Sequence, residues 1–96
     1  MNDKVIKHLE EIIKLRKKGV PKNSYVAKLF KKGKVKIANK LGEEAVEVVS
    51  AFLAESKNEI LDESADLLFH LIILLEFNDL SIEDVFKVLE KRMKSD

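Results

Sequence analysis

The chain has 96 residues, enough for one compact core and too few for a second. Its 46% hydrophobic and 36% charged content excludes intrinsic disorder, and three glycines with one proline exclude a barrel or sandwich of many short strands. No cysteine is present, which excludes a disulfide framework, a thiolate metal site and a cysteine nucleophile.

The net charge of +1 conceals a division. Residues 1–42 hold 13 Lys/Arg against three acids, whereas residues 43–96 hold five against 14. Two predictions follow from such a split: halves that attract and dock, or a basic surface for a polyanion beside an acidic site for a cation. The longest apolar run, Leu71 to Leu75, is far shorter than a membrane span, and the N-terminus shows no signal-peptide run. One soluble, cytoplasmic domain over residues 1–96, with no membrane partner, is the expectation.

In chain order, the first predicted helix runs from Asn2, its N-cap, to about Lys18. Val5, Ile6, Leu9, Ile12, Ile13 and Leu15 fall at helical spacing with charges between them. Gly19-Val20-Pro21 ends it. Ser24 caps a short second helix through Phe30, which Gly33 breaks. A third helix spans about Lys34 to Glu55, with an apolar stripe of Val35, Ala38, Leu41, Ala45, Val48, Val49 and Phe52. Gly42 interrupts that stripe at a cost of about 1 kcal/mol relative to alanine, which suggests close approach of a backbone or ligand. Ser56 to Glu59 has capping-box spacing and opens a fourth helix to about Phe77, apolar on nearly every face from Leu67 to Leu75. After the Asn78-Asp79 turn, Ser81 to Asp84 caps a last helix with Val85, Phe86 and Leu89 facing inward. The fold class is all-α, a bundle of four or five helices.

The acids carry the chemistry. Glu44 and Glu47 share a helix face, with Glu43 on the adjoining edge, and Glu63 and Asp66 are again three apart on the next helix. A short connection makes these helices antiparallel neighbours and brings both pairs to similar heights. Four carboxylates facing one another need a counterion, and a hard divalent cation such as Mg²⁺, or Mn²⁺ in its place, suits an all-oxygen set. Di-iron bundles favour Glu-x-x-His, whereas the second pair here ends in Asp66. Lys40 lies in line with Glu44 and Glu47, and His70 in line with Glu63 and Asp66. Lys28, Lys31, Lys32, Lys34, Lys36 and Lys40 form a basic run that reads either as a solvated face, as a nucleic-acid surface or as a clamp for polyphosphate. Tyr25 and Phe30 are the aromatic side chains that could stack beside that run.

Glu-Glu-x-x-Glu followed by Glu-x-x-Asp on adjacent helices resembles the signature of the all-α, MazG-like NTP pyrophosphohydrolases. Within that superfamily, the segments Ser24 to Leu29, Lys40 to Glu47 and Ala65 to Leu71 resemble phosphoribosyl-ATP pyrophosphatase. The resemblance covers about Ser24 to Arg92. It implies Mg²⁺-dependent cleavage by water of the α–β phosphoanhydride of phosphoribosyl-ATP, the second step of histidine biosynthesis, giving phosphoribosyl-AMP and pyrophosphate. Glu44, Glu47, Glu63 and Asp66 are the implied metal ligands, with Glu44 and Glu47 also catalytic, Glu43 an outer-shell group or water activator, and a homodimer the implied assembly. With that substrate, Lys40 and Lys34 would hold the leaving pyrophosphate or the distal phosphate, Tyr25 and Lys28 would contact the ribose phosphate or base, and His70 joins the substrate-binding set. Val26 stands where threonine is common in that family, and Phe69 where tyrosine is common. Two rivals stay open: a MazG-like hydrolase of another nucleoside triphosphate, and a non-catalytic helical module that binds nucleic acid.

Overall fold

The computed structural model describes residues 3–95, and among the described residues there are five helices and no strand. They are α1 (Asp3–Lys17), α2 (Tyr25–Lys32), α3 (Lys34–Leu53), α4 (Lys57–Phe77) and α5 (Ile82–Ser95). Asn2, the expected cap of α1, lies outside the described residues.

Local chemistry sets most boundaries. Ser24 Oγ accepts from the Ala27 N–H at 2.9 Å, which satisfies a free donor at the start of α2. Gly33 has φ +94°, a conformation that closes α2 and starts α3 and that L side chains rarely adopt. Ser81 and Asp84 cap each other reciprocally at the head of α5, N–H to Oδ2 at 3.0 Å and N–H to Oγ at 3.3 Å. Ser56, in contrast, sits at the N-cap of α4 without a side-chain capping bond, so its capping-box spacing is not used.

The α3–α4 hairpin is the most extensive packing pair, and α1 and α2 lie across it. The core consists of Ile13, Val26, Leu29, Ile37, Ile72, Ile73, Leu75 and Ile82, with the Phe30 and Phe77 rings stacked 6.5 Å apart. Ile72 and Ile73 are wholly buried, in keeping with the apolar second half of α4.

Two expected faces are oriented otherwise. In α3 the buried line is Ile37, Glu44 and Ala51, one heptad apart, while Val35, Val49 and Phe52 from the expected stripe are exposed. The reason is that α3 has apolar residues around much of its circumference, and one hairpin partner covers only one side. Likewise α5 buries only Ile82; Val85 is half-buried, and Phe86 and Leu89 are exposed. The radius of gyration, 14.6 Å, exceeds the ~12.5 Å typical of a compact chain of this length, as a sparsely packed α5 requires. A Cβ added at Gly42 would meet nothing within 4 Å among the described residues, so none of them demands that glycine.

Candidate active site

The acidic site sits midway along the α3–α4 hairpin. Antiparallel packing brings Glu44 on α3 to the level of Glu63 and Asp66 on α4, and one oxygen from each lies within 4.8 Å of the others. Glu44 is 7% exposed and Glu63 is half-buried, and each leaves its Oε2 out of solvent with no hydrogen-bond partner among the described residues. Glu47, one turn after Glu44, stands against Glu63. That contact is the largest cause holding the Glu63 carboxyl up to about 7, followed by burial and by the charges of Asp66 and Glu44. Like charges this close resist joint ionisation.

Such an arrangement fits a hard divalent cation. The donors are all carboxylate oxygens, two of them orphaned and buried, and neither thiolate nor imidazole joins them. Asp66 and Glu47 are the exposed members, so the cluster opens to solvent on the side where substrate can reach it.

Lys40 forms the next layer. Its ammonium lies 3.4 Å from Glu43 and 3.7 Å from Glu44, bridging neighbouring turns of α3. Its pKa is held above the ordinary lysine value, first by the adjoining Tyr25 phenol and then by Glu43 and Glu44, with partial desolvation opposing. The Tyr25 hydroxyl bonds His70 Nε2 at 2.9 Å, and His70 Nδ1 bonds the Asp66 carbonyl at 2.8 Å. His70 is 6% exposed. The phenol's own pKa is raised, chiefly by burial, with Lys40 pulling the other way.

From Lys40 a trough of 230 Å³ runs between α2 and α3, lined by Tyr25, Lys28, Leu29, Lys32, Lys36 and Lys40. Lys32 and Lys36 join the site here. In sequence they were only part of a basic run, although the signal was there in two pairs, Lys28 and Lys32 one turn apart on α2 and Lys36 and Lys40 one turn apart on α3. Lys34 goes elsewhere, to an apolar groove with Ile37, Ala38, Leu74 and Phe77. The structure therefore gathers Glu43, Glu44, Glu47, Glu63, Asp66, Lys40, Tyr25, His70 and Lys28, and leaves Lys34 apart.

A helical hairpin that gathers carboxylates beside a lysine-lined trough is the arrangement the resemblance to the all-α pyrophosphohydrolases implies. Residues 6–93 match the family described as phosphoribosyl-ATP pyrophosphohydrolase. Similar curated proteins include phosphoribosyl-ATP pyrophosphatase of Pyrobaculum neutrophilum, 46% identical over 98% of this chain and all of that protein. Another, from Metallosphaera sedula, is 46% identical over 94% of this chain and 97% of its own. The histidine biosynthesis bifunctional protein HisIE of Pyrococcus furiosus is 49% identical over 94% of this chain, which spans 42% of that longer protein. The chain belongs to the phosphoribosyl-ATP pyrophosphohydrolase family, a family of hydrolases. Among the described residues no helix is long and apolar enough to cross a membrane.

Proposed function

We propose that this protein hydrolyses the α–β phosphoanhydride of phosphoribosyl-ATP, releasing phosphoribosyl-AMP and pyrophosphate, in the second step of histidine biosynthesis. The observation that carries this reading is the convergence of Glu44, Glu63 and Asp66, with Glu47 against them, at the end of a lysine trough. Glu44, Glu47, Glu63 and Asp66 hold Mg²⁺, which Mn²⁺ can replace. Bound there, the cation supplies charge neutralisation and Lewis acidity to the phosphoanhydride.

The remaining work falls to the chain's own side chains. Lys40 receives phosphate oxygens at the mouth of the trough, and Glu43 and Glu44 keep its ammonium there. Glu47 is exposed beside Glu63 and accepts the proton from the attacking water; Glu43, committed to Lys40, orients that lysine instead. Phosphoribosyl-ATP differs from an ordinary triphosphate by a second, remote phosphate. Lys28, Lys32 and Lys36 offer that group a cationic seat with no acid in its lining.

A homodimer in the cytoplasm belongs to the same reading. Val46, Val49, Leu53, Leu61 and Leu68 are exposed along the hairpin, next to the acids, and a second copy would remove that apolar surface from water.

The test is pyrophosphate release from phosphoribosyl-ATP against a panel of ribo- and deoxyribonucleoside triphosphates, with Mg²⁺ and with EDTA. Turnover that prefers phosphoribosyl-ATP and stops with EDTA supports the proposal. Turnover of dUTP or dCTP with none of phosphoribosyl-ATP replaces it with the broader triphosphate hydrolase. Salt-sensitive nucleic-acid binding, indifferent to EDTA and to Glu47→Ala, without hydrolysis, points to a binding module.

A further inference from the structure

We propose that His70 is a positioning residue that acts through Tyr25 to fix the Lys40 ammonium over the acidic cluster, without itself touching substrate. The inference rests on the preceding reading, in which Lys40 receives substrate phosphate.

Directionality of the hydrogen bonds leads to it. The Asp66 backbone carbonyl can only accept, so His70 Nδ1 must carry the proton in their 2.8 Å bond. A neutral imidazole has one N–H, which leaves Nε2 as a bare acceptor. The Tyr25 hydroxyl, 2.9 Å away, therefore donates to it. With its proton committed, the phenol oxygen keeps its lone pairs free to accept, and Lys40, which lines the same trough, is the cation placed to donate to it. The two bonds run one way, from Tyr25 to His70 to the Asp66 carbonyl, and each polarises the next, which makes the phenol oxygen a better acceptor for Lys40. Removing the acceptor at position 70 would free the phenol proton to turn towards Lys40 and repel it.

The packing keeps this chain in register. His70 lies between Tyr25 and Phe69, both edge-on, with ring centroids 5.8 Å and 5.2 Å away. At 6% exposure it is closed to a ligand, whereas half of Tyr25 is open. The bonds tie Tyr25 on α2 to His70 on α4, and Lys40 on α3 lines the same trough. The lysine ammonium and the carboxylate site are thereby held at a set separation, which orientation-dependent chemistry requires.

The experiment combines two readouts on the full chain. Steady-state kinetics with Mg²⁺ and phosphoribosyl-ATP are measured for His70→Leu, His70→Gln, Tyr25→Phe and the His70→Leu/Tyr25→Phe double variant. Ring ¹⁵N NMR of unmutated protein, without metal or substrate, reports the His70 tautomer. We expect His70→Leu and Tyr25→Phe each to raise KM by about 10- to 100-fold, the size of one charge-assisted hydrogen bond, with kcat nearly unchanged. His70→Gln, whose amide oxygen can accept from the phenol, recovers most of that loss. In the Tyr25→Phe background His70→Leu adds nothing. NMR places the proton on Nδ1. Equal losses in both backgrounds, a fall in kcat alone, or a proton on Nε2 overturns the proposal. Should His70→Leu fail to fold, His70→Gln, Tyr25→Phe and the tautomer still decide. Should unmutated protein spare phosphoribosyl-ATP, the proposed function fails first, and the same variants are read on the triphosphate it does hydrolyse.

Discussion

Replacing Glu44 by glutamine keeps the shape of the side chain and removes its charge, and the structure predicts opposite effects on stability and activity. Glu44 is 7% exposed, and among the described residues its Oε2 has no partner and the cation near Oε1, Lys40, is shared with Glu43. A buried, unsatisfied polar group costs about 1–3 kcal/mol, more when charged. In EDTA, Glu44→Gln should therefore raise Tm, by about 4–8 °C for each kcal/mol in a chain of this size. With Mg²⁺ the order reverses. Unmutated protein gains about 2.7 kcal/mol at a cation concentration 100-fold above Kd, while the variant gains little. Turnover should fall by at least about a hundredfold, because even outer partners of metal ligands are worth 10- to 100-fold. Calorimetry at one fixed protein concentration, with EDTA and then with Mg²⁺, alongside pyrophosphate release, measures all three effects. A variant no more stable in EDTA, still stabilised by Mg²⁺ and turning over near the unmutated rate refutes the metal-site reading.

Four further outcomes follow. Glu63 has its folded pKa raised to about 7 from 4.5, so between those values the folded chain holds a proton that the unfolded chain has lost. Metal-free stability should accordingly fall as pH rises through that window, and Glu63→Gln should flatten the thermal melts across it; a melt series that climbs from pH 5 to 7 contradicts this. Asp66→Ala should abolish hydrolysis while circular dichroism keeps the helical signal, since Asp66 is exposed and outside the core. Glu76 is 4% exposed with an orphaned Oε2, and burial raises its pKa; Glu76→Gln should stabilise the protein by about 1 kcal/mol and spare turnover, being some 15 Å along α4 from Asp66. Leu53→Asp or Leu61→Asp should shift sedimentation from dimer to monomer, and an unchanged dimer would show that the exposed hairpin face is not the interface.

How much of this was legible beforehand depends on the range of the interaction concerned. The helices and their ends were readable, because Ser24, Gly33, Ser81 and the Asn78-Asp79 turn act on backbone groups only a few residues away. The acidic level was readable too. A short turn joining two helices leaves the rise per residue to set which carboxylates meet, and Glu44, Glu63 and Asp66 meet as that arithmetic requires. The same arithmetic was insufficient for Ser56, whose favourable spacing makes no capping bond.

What tertiary structure alone decided is which face of each helix is covered and where long side chains point. Helix α3 is apolar around too much of its surface for periodicity to choose a side; contact with α4 selects Ile37, Glu44 and Ala51 and leaves Val49 and Phe52 in water. Helix α5 has an inward-looking stripe, yet its only buried residue is Ile82, because amphipathicity states a need for cover and not the identity of what supplies it. Lys34 and Lys36 are two residues apart, and only folding sends one to an apolar groove and the other to the basic trough. The bonds joining Tyr25, His70 and Asp66 span α2 and α4, 45 residues apart at their widest. A periodic pattern is a one-dimensional record of one helix, whereas a site is a coincidence of several helices in space.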